Sequence, residues 1–62
     1  MPNTTNEHSH SIGDRVEIFI GSEFIGAGRV AYILADAGHY GIEQDGLSGT
    51  WEYPAEQVWG EP

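Results

Sequence analysis

Thr50-Trp51-Glu52-Tyr53-Pro54-Ala55-Glu56-Gln57-Val58-Trp59 is the stretch on which the fold turns. Aromatic and polar residues alternate up to Pro54, the period-two pattern of a strand. Proline donates no ladder hydrogen bond and opens a helical turn well, so residues 54–57 predict one 3-10 turn. Val58 and Trp59 then predict a short closing strand. Working outward, Gln44-Asp45-Gly46 is a hairpin signal because Asp-Gly tolerates positive φ. Residues 39–43 predict a strand with Tyr40 and Ile42 inward, and Asp36-Ala37-Gly38 predicts a turn before it.

Upstream, residues 14–20 predict a strand with Val16, Ile18 and Ile20 on one face and Arg15, Glu17 and Phe19 on the other. The strand stops at Gly21, and a short loop with Ser22 and Glu23 leads through Phe24 and Ile25 to the next glycines. Gly26-Ala27-Gly28 allows a sharp bend or a close backbone crossing, and residues 29–34 predict the next strand, with Val30, Tyr32 and Leu34 sharing a face. Residues 1–11 hold no large apolar residue after Met1 and predict a disordered polar tail, leaving 12–62 as the single folded unit. The expected class is therefore all-β: an SH3-like small five-stranded barrel with a 3-10 turn before the last strand, where closure manages the exposed edges. A small β-roll of OB type fits less well, because the strands are short and a helix has no room.

Composition narrows the functions. The chain of 62 residues has ten carboxylates, two arginines (Arg15 and Arg29) and a formal charge of −8. Phosphate backbones and anionic membranes are bound through Lys and Arg, so neither nucleic acid nor a membrane is an expected partner. No apolar stretch resembles a signal peptide or a span, and a cytoplasmic address is the default expectation. With no cysteine, neither disulfide nor thiolate metal site is available to staple so small a core. Self-association is the remaining common staple, so a homo-oligomer is expected.

Trp51, Glu52 and Tyr53 form the richest cluster. They read either as core or as an aromatic binding or interface patch, since Trp and Tyr give large contact area at low entropy cost. Phe19, Ala31 and Ile33 oppose the core pattern of their own strands and, if those strands pair, predict one outer apolar patch; the competing reading is that a strongly coiled sheet buries one of them. Phe24 and Tyr32 join the candidate aromatic surface. His8 and His10 sit in the polar tail without a metal-ligand context, and His39 reads as a surface histidine. No serine or cysteine nucleophile lies in a local motif, and the glycine clusters lack the lysine and helix of a phosphate cradle. No catalytic residue, metal or cofactor is assigned.

Gly13-Asp14-Arg15-Val16, then Phe24, Gly26 and Val30, then Tyr40-Gly41-Ile42-Glu43, and finally Tyr53-Pro54-Ala55 carry a family resemblance. In these the chain resembles the plasmid-borne type II dihydrofolate reductases, small SH3-like barrels that work as tetramers around a central pore. The resemblance implies that residues 50–54 would line such a pore, where the family has Val-Gln-Ile-Tyr and proline. Tyr53 and Pro54 match. Trp51 stands at the family's glutamine, Glu52 at its ligand-contacting isoleucine, and the lysine that attracts the anionic ligands falls near Ile18. A pore lined by copies of Glu52 would repel NADPH and folate, and indoles at Trp51 would fill it. The leading expectation is a non-enzymatic SH3-like interaction module that self-associates and binds a protein or peptide through its aromatic surface. The alternative is a dihydrofolate-reductase-like or other small-ligand-binding oligomeric pore protein.

Overall fold

Val16 and Ile18, two apart on strand β1 (Arg15–Ile20), are the start of the core, and every later strand adds to the same face. The computed structural model describes residues 8–61. After β1 come β2 (Glu23–Leu34), a 3-10 turn (Ala35–Ala37), β3 (His39–Gln44), β4 (Trp51–Pro54), a second 3-10 turn (Ala55–Gln57) and β5 (Val58–Gly60). All pairings are antiparallel, in the order β4-β3-β2-β1-β5. The fold is all-β and SH3-like in strand order, with the 3-10 turn immediately before the last strand.

The barrel does not close. β4 and β5 are the two edges of one five-stranded sheet. The Ala55–Gln57 turn carries the chain from one edge to the other, and strands of four and three residues are too short to zip together beyond it. Side chains cover the open side instead: Tyr53 and Ala55 pack against the core of Val16, Ile18, Val30, Tyr40, Ile42 and Val58.

β2 also departs from expectation. It begins at Glu23 rather than Arg29, so the expected loop with Ser22 and Glu23 shrinks to Gly21-Ser22 between paired strands, and Phe24 and Ile25 already belong to the strand. Of the two readings of Gly26-Ala27-Gly28, close approach holds. A Cβ on Gly28 would meet Ile42 Cγ2 and Gln44 Cα at 2.9 Å and the Glu43 carbonyl oxygen closer still.

Two bulges interrupt the sheet, and two side chains that simple alternation placed in the core lie outside it. The β1–β2 register shifts between Ile18 and Phe19, with Ile25 of β2 as the extra residue, and Ile20 at the end of β1 is half exposed. The β2–β3 register shifts between Val30 and Tyr32, leaving Ala31 without a partner and turning Tyr32 toward the face opposite Val30.

The expected tail falls mostly on residues 1–7, which lie outside the described residues. His8 and His10 are in contact with the sheet. His8 Nδ1 and His10 Nε2 each donate to the Val58 carbonyl, at 2.9 and 3.0 Å. The Tyr40 hydroxyl donates to the His8 carbonyl and accepts from the His10 amide, both at 3.0 Å. The segment thus covers the edge of β5 with polar contacts that a hydropathy reading does not register.

Candidate functional site

Register decides which of the expected site residues meet. On β4, Trp51 lies opposite Ile42, Glu52 opposite Gly41 and Tyr53 opposite Tyr40. Trp51 and Tyr53 therefore share the core face, with different outcomes. Tyr53 is half-buried and donates its hydroxyl to Gln44 Oε1 at 2.5 Å. Trp51, at the start of the strand, remains 48% exposed.

Glu52 points to the other face and accepts a 2.8 Å hydrogen bond from the Tyr32 hydroxyl. The Tyr32 ring lies directly over Gly41, where any Cβ would run into it. Tyr32, Gly41 and Glu52 thus form a strip across β2, β3 and β4 on the face away from Trp51.

The expected patch of Phe19, Ala31 and Ile33 is not assembled. Phe19 pairs with Phe24 at the β1–β2 hairpin, their rings edge to face at 5.5 Å. Ile33 pairs with Tyr40 toward the other end of β2. Nine residues of strand separate Phe24 from Ile33, about 30 Å of extended chain, and Ala31 sits at the bulge between them. Alternation assumed an unbroken β2 starting at Arg29, and the longer bulged strand separates the two ends.

A second aromatic surface, not singled out from the sequence, lies on the outer face of β1 and β5. Glu17 is flanked by Trp59 on β5 and Ala27 on β2, with Phe19 two residues along. Glu17, Phe19, Gly21, Ser22, Trp59 and Gly60 line a surface cleft of about 400 Å³. The His8 ring abuts Trp59 edge-on at 4.1 Å. The signal was present in the expected Arg15, Glu17, Phe19 face of β1. Placing Trp59 beside it required the β1–β5 pairing.

The electrostatics around this face are one-sided. Arg15 donates a two-pronged pair of hydrogen bonds to Asp45 at 3.0 and 2.6 Å, with Glu61 at 3.6 Å. Arg29 donates to the Gly13 carbonyl at 3.0 Å. The hydrogen bond from Arg15, ahead of the charge itself, holds the Asp45 carboxyl below its ordinary value, and the same bond raises the Arg15 guanidinium. Both arginines are thus committed, whereas the Glu17 carboxylate has no ion-pair or hydrogen-bond partner among the described residues. His39 turns its Nδ1 to the Ala37 carbonyl at 2.7 Å.

Fold and surface together define a small SH3-like β protein with two exposed aromatic regions. No protein-family model, no curated protein and no solved structure matches the chain. No helix among the described residues is long and apolar enough to cross a membrane.

Proposed function

We propose that this chain is a non-enzymatic interaction module that self-associates and binds a protein or peptide through its aromatic surfaces. One observation carries the reading: the apolar side chains left outside rival those inside. The core is Val16, Ile18, Val30, Tyr40, Ile42 and Val58, while Ile12, Ile20, Phe24, Ile25, Ile33, Leu47 and Trp51 are all substantially exposed. Scattered apolar residues are ordinary on a protein surface, but grouped ones mark contacts. Here Ile20, Phe24 and Ile25 gather at the β1–β2 hairpin beside Phe19. Leu47 and Trp51 flank the β3–β4 connection.

Covering one such half-exposed side chain is worth about 1 kcal/mol, a material gain for a core of six. Copies meeting through the hairpin would supply the staple that cysteine-free composition withholds. Light scattering at micromolar concentration tests this. The native chain is expected to be an oligomer, and Phe24→Asp, on a side chain 55% exposed, is expected to dissociate it with its strand spectrum retained. A strictly monomeric native chain overturns the self-association.

A further inference from the structure

We propose that the cleft between β1 and β5 is a receptor for an arginine or lysine side chain of a basic segment on a partner protein. The inference rests on reading the chain as an interaction module, and it names the partner's chemistry and the residues that meet it.

The cleft has three properties that together select a cation. Its lining includes a carboxylate, Glu17, that is half-buried and has no partner among the described residues. Such a group gains from an opposite charge brought within contact. Phe19 and Trp59 also line it, the former edge to face with Phe24 and the latter with His8 against it, and a guanidinium or ammonium over an aromatic face is attracted by the ring quadrupole, most strongly by indole. Its volume of about 400 Å³ suits one long side chain.

Neither arginine of the chain is placed there. The chain has no lysine, Arg15 is held by Asp45 and Glu61, and Arg29 donates to the Gly13 carbonyl. A second copy brings the same two committed arginines and a further charge of −8. Charge complementarity therefore points to a different, basic chain. The small residues around Glu17 leave it approachable, since Ala27 is its neighbour on β2 and Gly60, Gly21 and Ser22 complete the rim. Arginine suits the site well, because its flat guanidinium can lie on the indole while its edge donates to the carboxylate.

The test is a titration of the full chain with a capped penta-arginine peptide, read by Trp59 fluorescence in a Trp51→Phe background so that one indole reports. A capped penta-glutamine peptide is the control. A saturable change with penta-arginine and none with penta-glutamine is expected. Glu17→Gln is expected to weaken binding about fivefold or more. Glu43→Gln, which removes the same charge from an exposed position on β3, is expected to weaken it less than about twofold. Equal weakening by the two substitutions overturns the inference, because only the overall acidic field would then be acting. A silent Trp59 overturns it, and so does a response that follows protein rather than peptide concentration, which would put a second copy in the cleft. Light scattering on the same samples keeps the two readings apart: an oligomer that ignores the peptide retains the self-association and loses this site, and a monomer that binds through Glu17 does the reverse.

Discussion

Replacing Gly28 by alanine is expected to destabilise the chain more than any other single methyl added to its sheet. Gly28 lies between Val16 on β1 and Gln44 on β3, in the middle of the three longest strands. The new Cβ would meet Gln44 Cα and Ile42 Cγ2 at 2.9 Å and the Glu43 carbonyl more closely still. Two of these three are backbone atoms, and the third belongs to a fully buried side chain. Nothing can rotate aside, so β2 and β3 must part until the Glu43 oxygen clears 3.0 Å from the new carbon, an overpacking that costs about 1–3 kcal/mol. The neighbouring 2.8 Å bond from the Asp45 amide to the Ala27 carbonyl loosens with them, adding about 1 kcal/mol. The loss of glycine's freedom in the unfolded chain returns about 0.4–1 kcal/mol. The net is about 2–3 kcal/mol, against a total stability of about 3–9 kcal/mol for a chain of this length. Thermal unfolding followed by circular dichroism at fixed protein concentration should show a midpoint lower by roughly 10–20 °C. Gly41→Ala is the control, because the atoms nearest its Cβ all belong to the half-buried ring of Tyr32, which can swing toward solvent. Its cost is about 1 kcal/mol, mostly the lost Tyr32 to Glu52 hydrogen bond. A Gly28→Ala midpoint within a few degrees of the native one, or a larger loss for Gly41→Ala, would refute the reasoning.

Two further outcomes follow from the polar contacts. Tyr32→Phe removes the 2.8 Å bond to Glu52 while keeping the ring over Gly41, and should cost about 0.5–1 kcal/mol in urea unfolding; no loss, or the same loss in a chain already carrying Glu52→Ala, would show that the bond is not made in solution. Asp45 has its folded pKa lowered by Arg15, so the pair's contribution is complete above the ordinary carboxyl value of 3.8 and is lost as pH falls through the lower folded value. The gap between the urea midpoints of the native chain and Asp45→Asn should therefore be constant at neutral pH, shrink in acid and narrow in added salt, because the pair is exposed; a gap that does not change with pH contradicts the pairing.

Much of the fold was legible because alternation and punctuation agreed. Val16 and Ile18, Tyr40 and Ile42, and the Pro54 turn each obey a local rule, and the structure places them accordingly. The failures lie where pairing overrides alternation. The bulge at Ala31 adds one residue to β2 and so reverses the faces beyond it, which is why Tyr32 crossed to the outer face; Ile20 keeps the phase of Val16 and Ile18 and is exposed because β1 ends there. Bulges have no signature in Ile25 or Ala31 themselves, since they depend on the partner strand. The candidate site was legible only in part for the same reason. Glu17 and Phe19 were assigned the correct face, yet Trp59 reaches them only through the pairing of the first strand with the last, 42 positions apart by the Glu17 to Trp59 register. The histidine pair at 8 and 10 was misread because its contacts are polar and go to a backbone carbonyl, which a search for apolar periodicity does not detect.

The open edge and the acidic surface bear on the same question, which partner each aromatic region can accept. A sheet that closed on itself would pair β5 with β4 and leave the outward side chain of Trp59 on the outer face. Because the 3-10 turn stops short of closure, β5 stays an edge strand, pinned by His8 and His10 at the Val58 carbonyl, and its outward indole lines the cleft. The charge of −8 then acts in two directions. It opposes the approach of another copy, so the proposed self-association has to draw on apolar contact that outweighs it, as from Phe24 and Ile25 beside Glu23 at the hairpin. It favours the approach of a basic chain, and in the proposed site Glu17, with Phe19 and Trp59, would turn that general attraction into a specific contact. The hairpin and the β1–β5 cleft are thus proposed for opposite kinds of partner although they meet at Phe19, Gly21 and Ser22, and one chain of 62 residues presents both.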